Sequence, residues 1–333
     1  MKYIVTGATS CIGSAVVEYL LKHGENVVAT MRQGSEKAAV FLRQFGRFED
    51  KLQIVCCDIS EIAFLEKAVA DADVFLNFAW AGTSKEQRNS PEVQQRNVEC
   101  ALTAMRTAAK MGCKLYVEAG SQAEYGYKDG EIKEDALCEP FTEYGKAKLR
   151  CWEEGRLLAK TLGVGYAHLR IFSVYGETES NQAILPYCIR QMQNDESIEL
   201  SPCTQYWNFL YRHDAAEMIC RLAESLTPNP SAPQPPKGKE GDDYLFKDRI
   251  EGSTACCEVY NIASNDTRVL KDFIEEFRGL CDVSPLIVYG KVQPSRLLSI
   301  QPSIAKVLSV IGEMQFTPFA EGLKNEIEYI RQL

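Results

Sequence analysis

Tyr144-Gly145-Lys146-Ala147-Lys148 places a phenol and an ammonium four residues apart. On a helix that spacing puts both side chains on one face, so Tyr144 and Lys148 reach a single site. A free tyrosine titrates near ~10. A neighbouring ammonium and an oxidised nicotinamide both favour the phenolate, which is what a tyrosine needs to exchange a proton near neutral pH. Lys148 is also placed to hold the nicotinamide ribose. An exposed helix can carry the spacing by chance, so a second element has to support it. Ser121 does so: it comes just after an expected strand at 114–120. In a doubly wound sheet, ligands bind beyond the C-terminal strand ends, near the point where strand order reverses. There the Ser121 hydroxyl would donate a hydrogen bond to the reacting oxygen.

The first strand is followed by Thr6-Gly7-Ala8-Thr9-Ser10-Cys11-Ile12-Gly13, which then opens a helix. Gly7 permits a tight turn and Gly13 lets the helix pack closely on the strand. The backbone of Thr9, Ser10, Cys11 and Ile12 would face a pyrophosphate at the helix N-terminus. Ser10 stands where many such turns have a middle glycine, and it is small enough to allow the approach. The second strand ends Ala29-Thr30-Met31-Arg32, without the acid that holds the ribose 2′-hydroxyl of NAD. Arg32 is suited to a 2′-phosphate, so NADP is the expected cofactor, with NAD as the alternative. Asp58 and Ile59, after the third strand, are placed to meet the adenine.

These residues need a frame. Expected strands at 2–6, 26–31, 52–57, 73–78 and 114–120 alternate with helix-period stretches at 12–23, 37–46, 62–70 and 92–111. A helix at 143–162 and a strand at 165–172 continue the series. Alternation at this spacing implies βαβ units, and right-handed crossovers make a doubly wound parallel sheet. The fold class is α/β: a Rossmann-type sheet with a smaller C-terminal α/β lobe for substrate. Residues 1–175 form the expected dinucleotide-binding domain, with segments near 205–225 and 257–264 returning to it. Residues 176–333 form mainly the substrate lobe, from shorter pieces at 183–193, 208–211, 259–262 and 285–289. The stretch 227–252 holds Pro228, Pro230, Pro233, Pro235 and Pro236, and its composition predicts an exposed loop.

Together these features resemble an extended short-chain dehydrogenase/reductase, in the NAD-dependent epimerase/dehydratase branch that acts on nucleotide sugars. The matching segments run nearly the full length of the chain. They are Thr6 to Gly13, Asp58-Ile59, Asn77-Phe78-Ala79-Trp80, Asn97, Gly120 to Gly126, Tyr144 to Lys148, and Leu169 to Gly176. Phe209-Leu210-Tyr211, Asp214-Ala215-Ala216 and Tyr260-Asn261-Ile262 fit the C-terminal part. The resemblance implies a catalytic triad in which Tyr144 is the general acid/base, Ser121 orients the substrate, and Lys148 tunes the phenol and binds ribose. It implies that Phe78, Ala79, Trp80 and Asn97 lie along the cofactor, and that the protein is a homodimer pairing through the helices 92–111 and 143–162.

The sequence departs from this pattern in two places. The 4,6-dehydratases of the branch carry Asp and Glu after the catalytic hydroxyl residue, where this chain has Gln122 and Ala123, so elimination of water is disfavoured. Gln122 is therefore read as a substrate contact. The arginine that often precedes the F-x-Y strand is replaced in the region of Tyr206-Trp207-Asn208. Either Arg296, Arg212 or Lys291 takes over its phosphate, or the substrate is not a usual nucleoside diphosphate sugar. Trp207 either stacks on base or sugar or fills the core. The leading expectation is an NADP-dependent reductase of a 4-keto nucleotide sugar. The close rival is an epimerase with tightly held NAD, using the same triad. A non-catalytic cofactor-sensing module is the third reading, and the intact triad argues against it.

Composition excludes other classes. Across 333 residues, 45% are hydrophobic and 25% charged, the balance of a globular protein with a sizeable core. The net charge of −9 comes with no basic stripe, which argues against nucleic acid. No apolar run approaches the roughly 18 residues of a membrane span, and Met1 runs straight into a strand, which predicts no signal peptide. The 13 cysteines include no C-x-x-C, and there are three histidines, His23, His168 and His213. No metal centre is expected, and buried thiols in a reducing cytoplasm are.

Overall fold

In the computed structural model, residues 1–82, 84–177, 183–228, 257–281, 285–294 and 296–332 are described. Among them, strands β1 (Lys2–Thr6), β2 (Asn26–Met31), β3 (Leu52–Cys56), β4 (Val74–Asn77), β5 (Leu115–Ser121) and β6 (Gly165–Ile171) follow one another through helical crossovers. The helices of this half are α1 (Cys11–Lys22), α2 (Glu36–Phe45), α3 (Leu65–Ala68), α4 (Lys85–Arg88), α5 (Pro91–Lys110) and α6 (Glu143–Leu162). The second half contributes β7 (Ser173–Tyr175), β8 (Ile198–Glu199), β9 (Tyr206–Tyr211), β10 (Cys257–Ile262), β11 (Thr267–Val269) and β12 (Ile287–Val288). Its helices are α7 (Ile184–Gln193), α8 (Arg212–Leu226), α9 (Leu270–Leu280), α10 (Ala305–Ile311) and α11 (Phe319–Arg331).

Seven strands form one parallel sheet in the order β3-β2-β1-β4-β5-β6-β10. Its central strands read as nearly unbroken apolar runs because both faces are covered. Successive residues separate to opposite faces: Tyr3, Val5, Leu76 and Val117 pack with α1, α8 and α10, while Ile4, Phe75, Tyr116 and Tyr166 pack with α5 and α6. Strand order reverses between β1 and β4, and the glycine turn after β1 and the loop after β4 open at that place. A crevice for a ligand follows from that topology.

The smaller part is built differently. After Ile171 the chain leaves the sheet, and β7 pairs in parallel with β9, which pairs antiparallel with β11. The segment near 205–225 therefore divides: β9 lies outside the seven-stranded sheet, and α8 packs on the face that carries α1. A separate core of Leu185, Ile189, Phe209, Phe273, Phe277, Phe319 and Leu323 joins α7, α9 and α11.

Two local expectations change. The helical period at 62–70 yields a 3₁₀ segment at Ile59–Phe64 and a single α turn, α3. Asp58 caps the segment early by accepting from the Ser60 N–H at 3.0 Å, and Val69 is already extended at φ −134°, ψ 118°. The Pro-rich stretch 227–252 lies outside the described residues except for Thr227 and Pro228.

Candidate active site

The glycine turn is built around two close approaches. Gly7 has φ +64°, and a Cβ there would stand 2.8 Å from the Ala79 nitrogen and the Phe78 carbonyl. A Cβ on Gly13 would stand 2.2 Å from the Gly7 oxygen. Both positions therefore exclude a side chain, which brings the start of α1 against the ends of β1 and β4. Ser10 caps α1, its Oγ accepting from the Gly13 N–H at 3.0 Å. The first N–H groups of a helix have no acceptor within it, so this end offers donors to an anion. The turn fits the pyrophosphate of a dinucleotide on these grounds, with Ser10 as a cap where a glycine was expected.

Arg32 is exposed at the end of β2. Asp58, one strand away, is held below the usual carboxylate range by hydrogen bonds from the Ser60 N–H and hydroxyl, and the Arg32 charge adds to this. Thr9, Ser10 and Cys11 line a cleft of about 410 Å³ with Lys37, Arg212 and His213. Burial pushes the Cys11 thiol up to about 11, with Arg212 opposing. Arg212, a candidate for the substrate phosphate, instead donates to Glu177 at 2.8 Å and to the Ser14 hydroxyl at 2.7 Å.

Beyond β4 the chain is braced by α5. Asn97 accepts from the Ala81 N–H at 3.0 Å and donates to the Ala81 carbonyl at 2.9 Å. The Trp80 indole N–H donates to Gln94 at 3.0 Å. Asn97 thus holds the backbone at Ala81, directly after Phe78-Ala79-Trp80, and Trp80 turns its ring toward α6. The Lys148 Nζ lies 3.3 Å from the Trp80 ring centroid, and the Tyr144 ring meets Trp80 edge-on at 6.0 Å.

Tyr144 and Lys148 share the face of α6 that the spacing required, with Nζ 5.9 Å from the Tyr144 ring. Lys148 is 3% exposed and donates to the Ala119 carbonyl at 2.5 Å. Gly145 explains how α6 comes so near the end of β5: a Cβ there would sit 2.5 Å from the Ala123 oxygen. Ser121 ends β5 and caps a 3₁₀ turn at Gln122–Glu124, its Oγ accepting from the Ala123 N–H at 3.2 Å. Ser121, Gln122, Ala123, Thr142 and Arg88 line a cleft of about 630 Å³. The Arg88 guanidinium lies 4.3 Å over the Tyr144 ring.

Three further residues were not singled out in the sequence. Glu124 completes a capping box by accepting from the Ser121 N–H at 2.8 Å. It also contacts His168 Nε2 at 2.9 Å and Arg170 Nε at 2.8 Å. Burial alone would raise its pKa, but His168 and Arg170 outweigh it and hold the carboxyl at about 2. The S-x-x-E spacing was the available signal. Glu118 is a carboxylate inside an otherwise apolar strand, and its charge was the signal. Arg88 lies on a four-residue helix with no local signal of its role.

The substrate-side residues divide. Gln122 faces the larger cleft, with its Oε1 buried and lacking a hydrogen-bond partner among the described residues. Trp207 packs between two apolar clusters, which favours the core reading, although its indole nitrogen is buried without a partner among the described residues. Arg296 is exposed, 4.3 Å over Tyr127, which stacks on the cleft residue Phe141 at 4.5 Å. Among the described residues no helix is long and apolar enough to cross a membrane.

The sequence model of the NAD dependent epimerase/dehydratase family matches residues 3–232. CDP-abequose synthase of Salmonella muenchen is 22% identical over 228 residues, covering 66% of this chain and 69% of the relative. UDP-glucose 4-epimerase of Lactobacillus helveticus is 27% identical over 182 residues, 53% of this chain and about half (52%) of the relative. In three dimensions the chain is similar to UDP-glucuronic acid 4-epimerase from Bacillus cereus, solved with UDP-glucuronic acid and NAD. That likeness has a TM-score of 0.78 at 21% identity, covering 100% of this chain and 99% of that one, and it shows the shared fold.

Proposed function

The chain belongs to the NAD-dependent epimerase/dehydratase family, and from that premise we propose that it is a nucleotide-sugar epimerase that inverts a hydroxyl-bearing carbon through a transient ketone. The observation that carries the reading is the convergence of Tyr144, Lys148 and Trp80, with α6 held to the end of β5 on either side of Ser121 by Lys148 at the Ala119 carbonyl and Gly145 at the Ala123 oxygen. Bound NAD supplies a reversible two-electron oxidation of the sugar carbon. Tyr144 takes the hydroxyl proton as the ketone forms and returns it as the new alcohol forms. Ser121 donates to the same oxygen. Lys148 places its ammonium beside the phenol, where positive charge favours the phenolate. The Thr9 to Gly13 turn holds the pyrophosphate, Asp58 and Ile59 meet the adenine, and Phe78 to Trp80, braced by Asn97, run along the nicotinamide half. Gln122 and Ala123 provide no acid for elimination of water, which separates this chain from a dehydratase.

The absence of an acid at the end of β2, with Arg32 in its place, favours a second reading: an NADP-dependent reductase of a 4-keto sugar. Similar proteins are solved with NAD, and for that reason we place the epimerase first. Mass spectrometry of nucleotide released from freshly purified protein separates the two. Retained NAD, followed by interconversion of UDP-glucose or UDP-glucuronic acid with its epimer without net cofactor turnover, supports the epimerase. An empty site that binds NADPH over NADH supports the reductase. Tyr144→Phe is expected to lower turnover by about 10²-fold or more; turnover within a few-fold of wild type would sink both. We further propose a homodimer paired through α5 and α6, tested by sedimentation equilibrium; a monomer at micromolar concentration excludes it.

A further inference from the structure

Glu118 sits in the middle of β5, 1% exposed, where the neighbouring strand residues are apolar. An unpaired carboxylate in such a place costs several kcal/mol, so its partners decide what it is for. Its Oε2 accepts from Asn77 Nδ2 at 2.7 Å and from the Tyr116 hydroxyl at 2.8 Å. Asn77 is itself fixed, its Oδ1 accepting from the Thr6 hydroxyl at 2.5 Å. One oxygen is therefore clamped by two donors, which sets the direction of the other. That other oxygen, Oε1, is buried with no hydrogen-bond partner among the described residues and stands 3.7 Å from Lys148 Nζ.

An ammonium has three donors. Besides the Tyr144 ring, Lys148 Nζ meets the Ala119 carbonyl on the strand, the Trp80 ring and the Glu118 carboxylate. The carbonyl and the rings are neutral partners; the carboxylate is the group of opposite sign. The strand, Asn77 and Tyr116 thus hold a negative charge at a set position beside the lysine that the proposed reaction uses. We infer that Glu118 is a positioning residue, which holds the Lys148 ammonium between β5 and Trp80 so that it meets the nicotinamide ribose and Tyr144 in one orientation. This rests on the functional reading for the role of Lys148, though not for the pairing itself.

Two readouts test it without a sugar substrate. The first is NAD affinity by calorimetry in wild type, Glu118→Gln, Glu118→Asp, Lys148→Met and the double variant Glu118→Gln/Lys148→Met. Glutamine keeps the acceptor for Asn77 and Tyr116 but presents a neutral amide to the lysine. It should weaken NAD by about tenfold or more, and aspartate, which keeps the charge but sets it farther from Nζ, should weaken NAD by a smaller factor. In the Lys148→Met background the glutamine should add less than about twofold, because the group it positions is gone. Equal losses in both backgrounds mean a merely structural role and overturn the inference, as does wild-type affinity in Glu118→Gln. The second readout is Trp80 emission, isolated as the difference from Trp80→Phe. It should change in Glu118→Gln and not change further when glutamine is added to Lys148→Met. If wild type binds no NAD, the functional reading fails, and unchanged Trp80 emission in Glu118→Gln then overturns this one separately. If Glu118→Gln does not fold, the same emission comparison is made on Glu118→Asp, whose shorter side chain draws the charge away from Nζ.

Discussion

At the scale of residues, the glycine turn and the tyrosine–lysine pair act through atoms that leave little tolerance. Gly13 has an ordinary backbone conformation, so its constraint is steric: a methyl group would stand 2.2 Å from the Gly7 carbonyl oxygen. Gly13→Ala is expected to displace the start of α1 and weaken dinucleotide binding by about tenfold or more, read by calorimetry. Glu124 is a different case. It is fully buried, and one carboxylate serves the Ser121 N–H, His168 and Arg170. Glu124→Gln leaves Arg170 without its counter-charge and is expected to cost roughly 3–5 kcal/mol of stability, seen as a lower urea midpoint. A midpoint unchanged within error would mean that the Glu134 carbonyl, which also accepts from Arg170 at 2.9 Å, suffices.

At the scale of elements, the site depends on how closely α6 can lie on the 3₁₀ turn after β5. Thr142 caps α6 by accepting from the Gly145 N–H at 3.0 Å, and Gly163 ends the helix at φ +69°. Between these ends, Gly145 presents no side chain to Ala123. Gly145→Ala favours the helix by propensity, yet its Cβ would push α6 away from Ser121. The expected outcome is a fall in kcat with a smaller loss of NAD affinity, because Lys148 moves with α6 while the glycine turn lies on another element. A variant with unchanged kcat would show that the distance between α6 and the turn is not limiting. The loop after β4 is set in the same way by α5, through Asn97 and Gln94.

At the scale of the whole molecule, acid should loosen the contacts that cross between parts of the chain. Glu177 follows β7 and meets Arg212 and His213 of α8. Burial would raise its pKa, but His213 and Arg212, with the Tyr211 hydroxyl, hold it at about 2. Glu124 is held at about 2 by His168 and Arg170. A depressed carboxyl contributes stability that is present above its unfolded value of about 4.3 and lost as pH falls through the folded value. The melting temperature is therefore expected to decline from about pH 4.5 downward, toward about pH 2. Glu177→Gln should flatten part of that decline; an unchanged slope would remove Glu177 from the account.

The sequence by itself determined the parallel sheet and the place of the glycine turn at the start of α1, and it supplied the proposed triad, because each is written in local terms. Unbroken apolar strands alternate with helices, glycines sit at the start of α1, and Tyr144 and Lys148 lie four apart. The end of β2 also pointed to NADP through Arg32, an inference from one side chain whose outcome the released nucleotide decides. Tertiary structure alone decided which distant residues meet. Glu118 and Lys148 are thirty positions apart, and the pairing exists because β5 and α6 pack together. Arg212 was named from sequence as a candidate phosphate ligand, and only the packing of α8 brings it to Glu177 and Ser14. Trp207 was open to stacking on a ligand or filling the core, and it packs half-buried between two apolar clusters. Local chemistry sets what a residue can do; the crossing of elements sets the neighbour with which it does it.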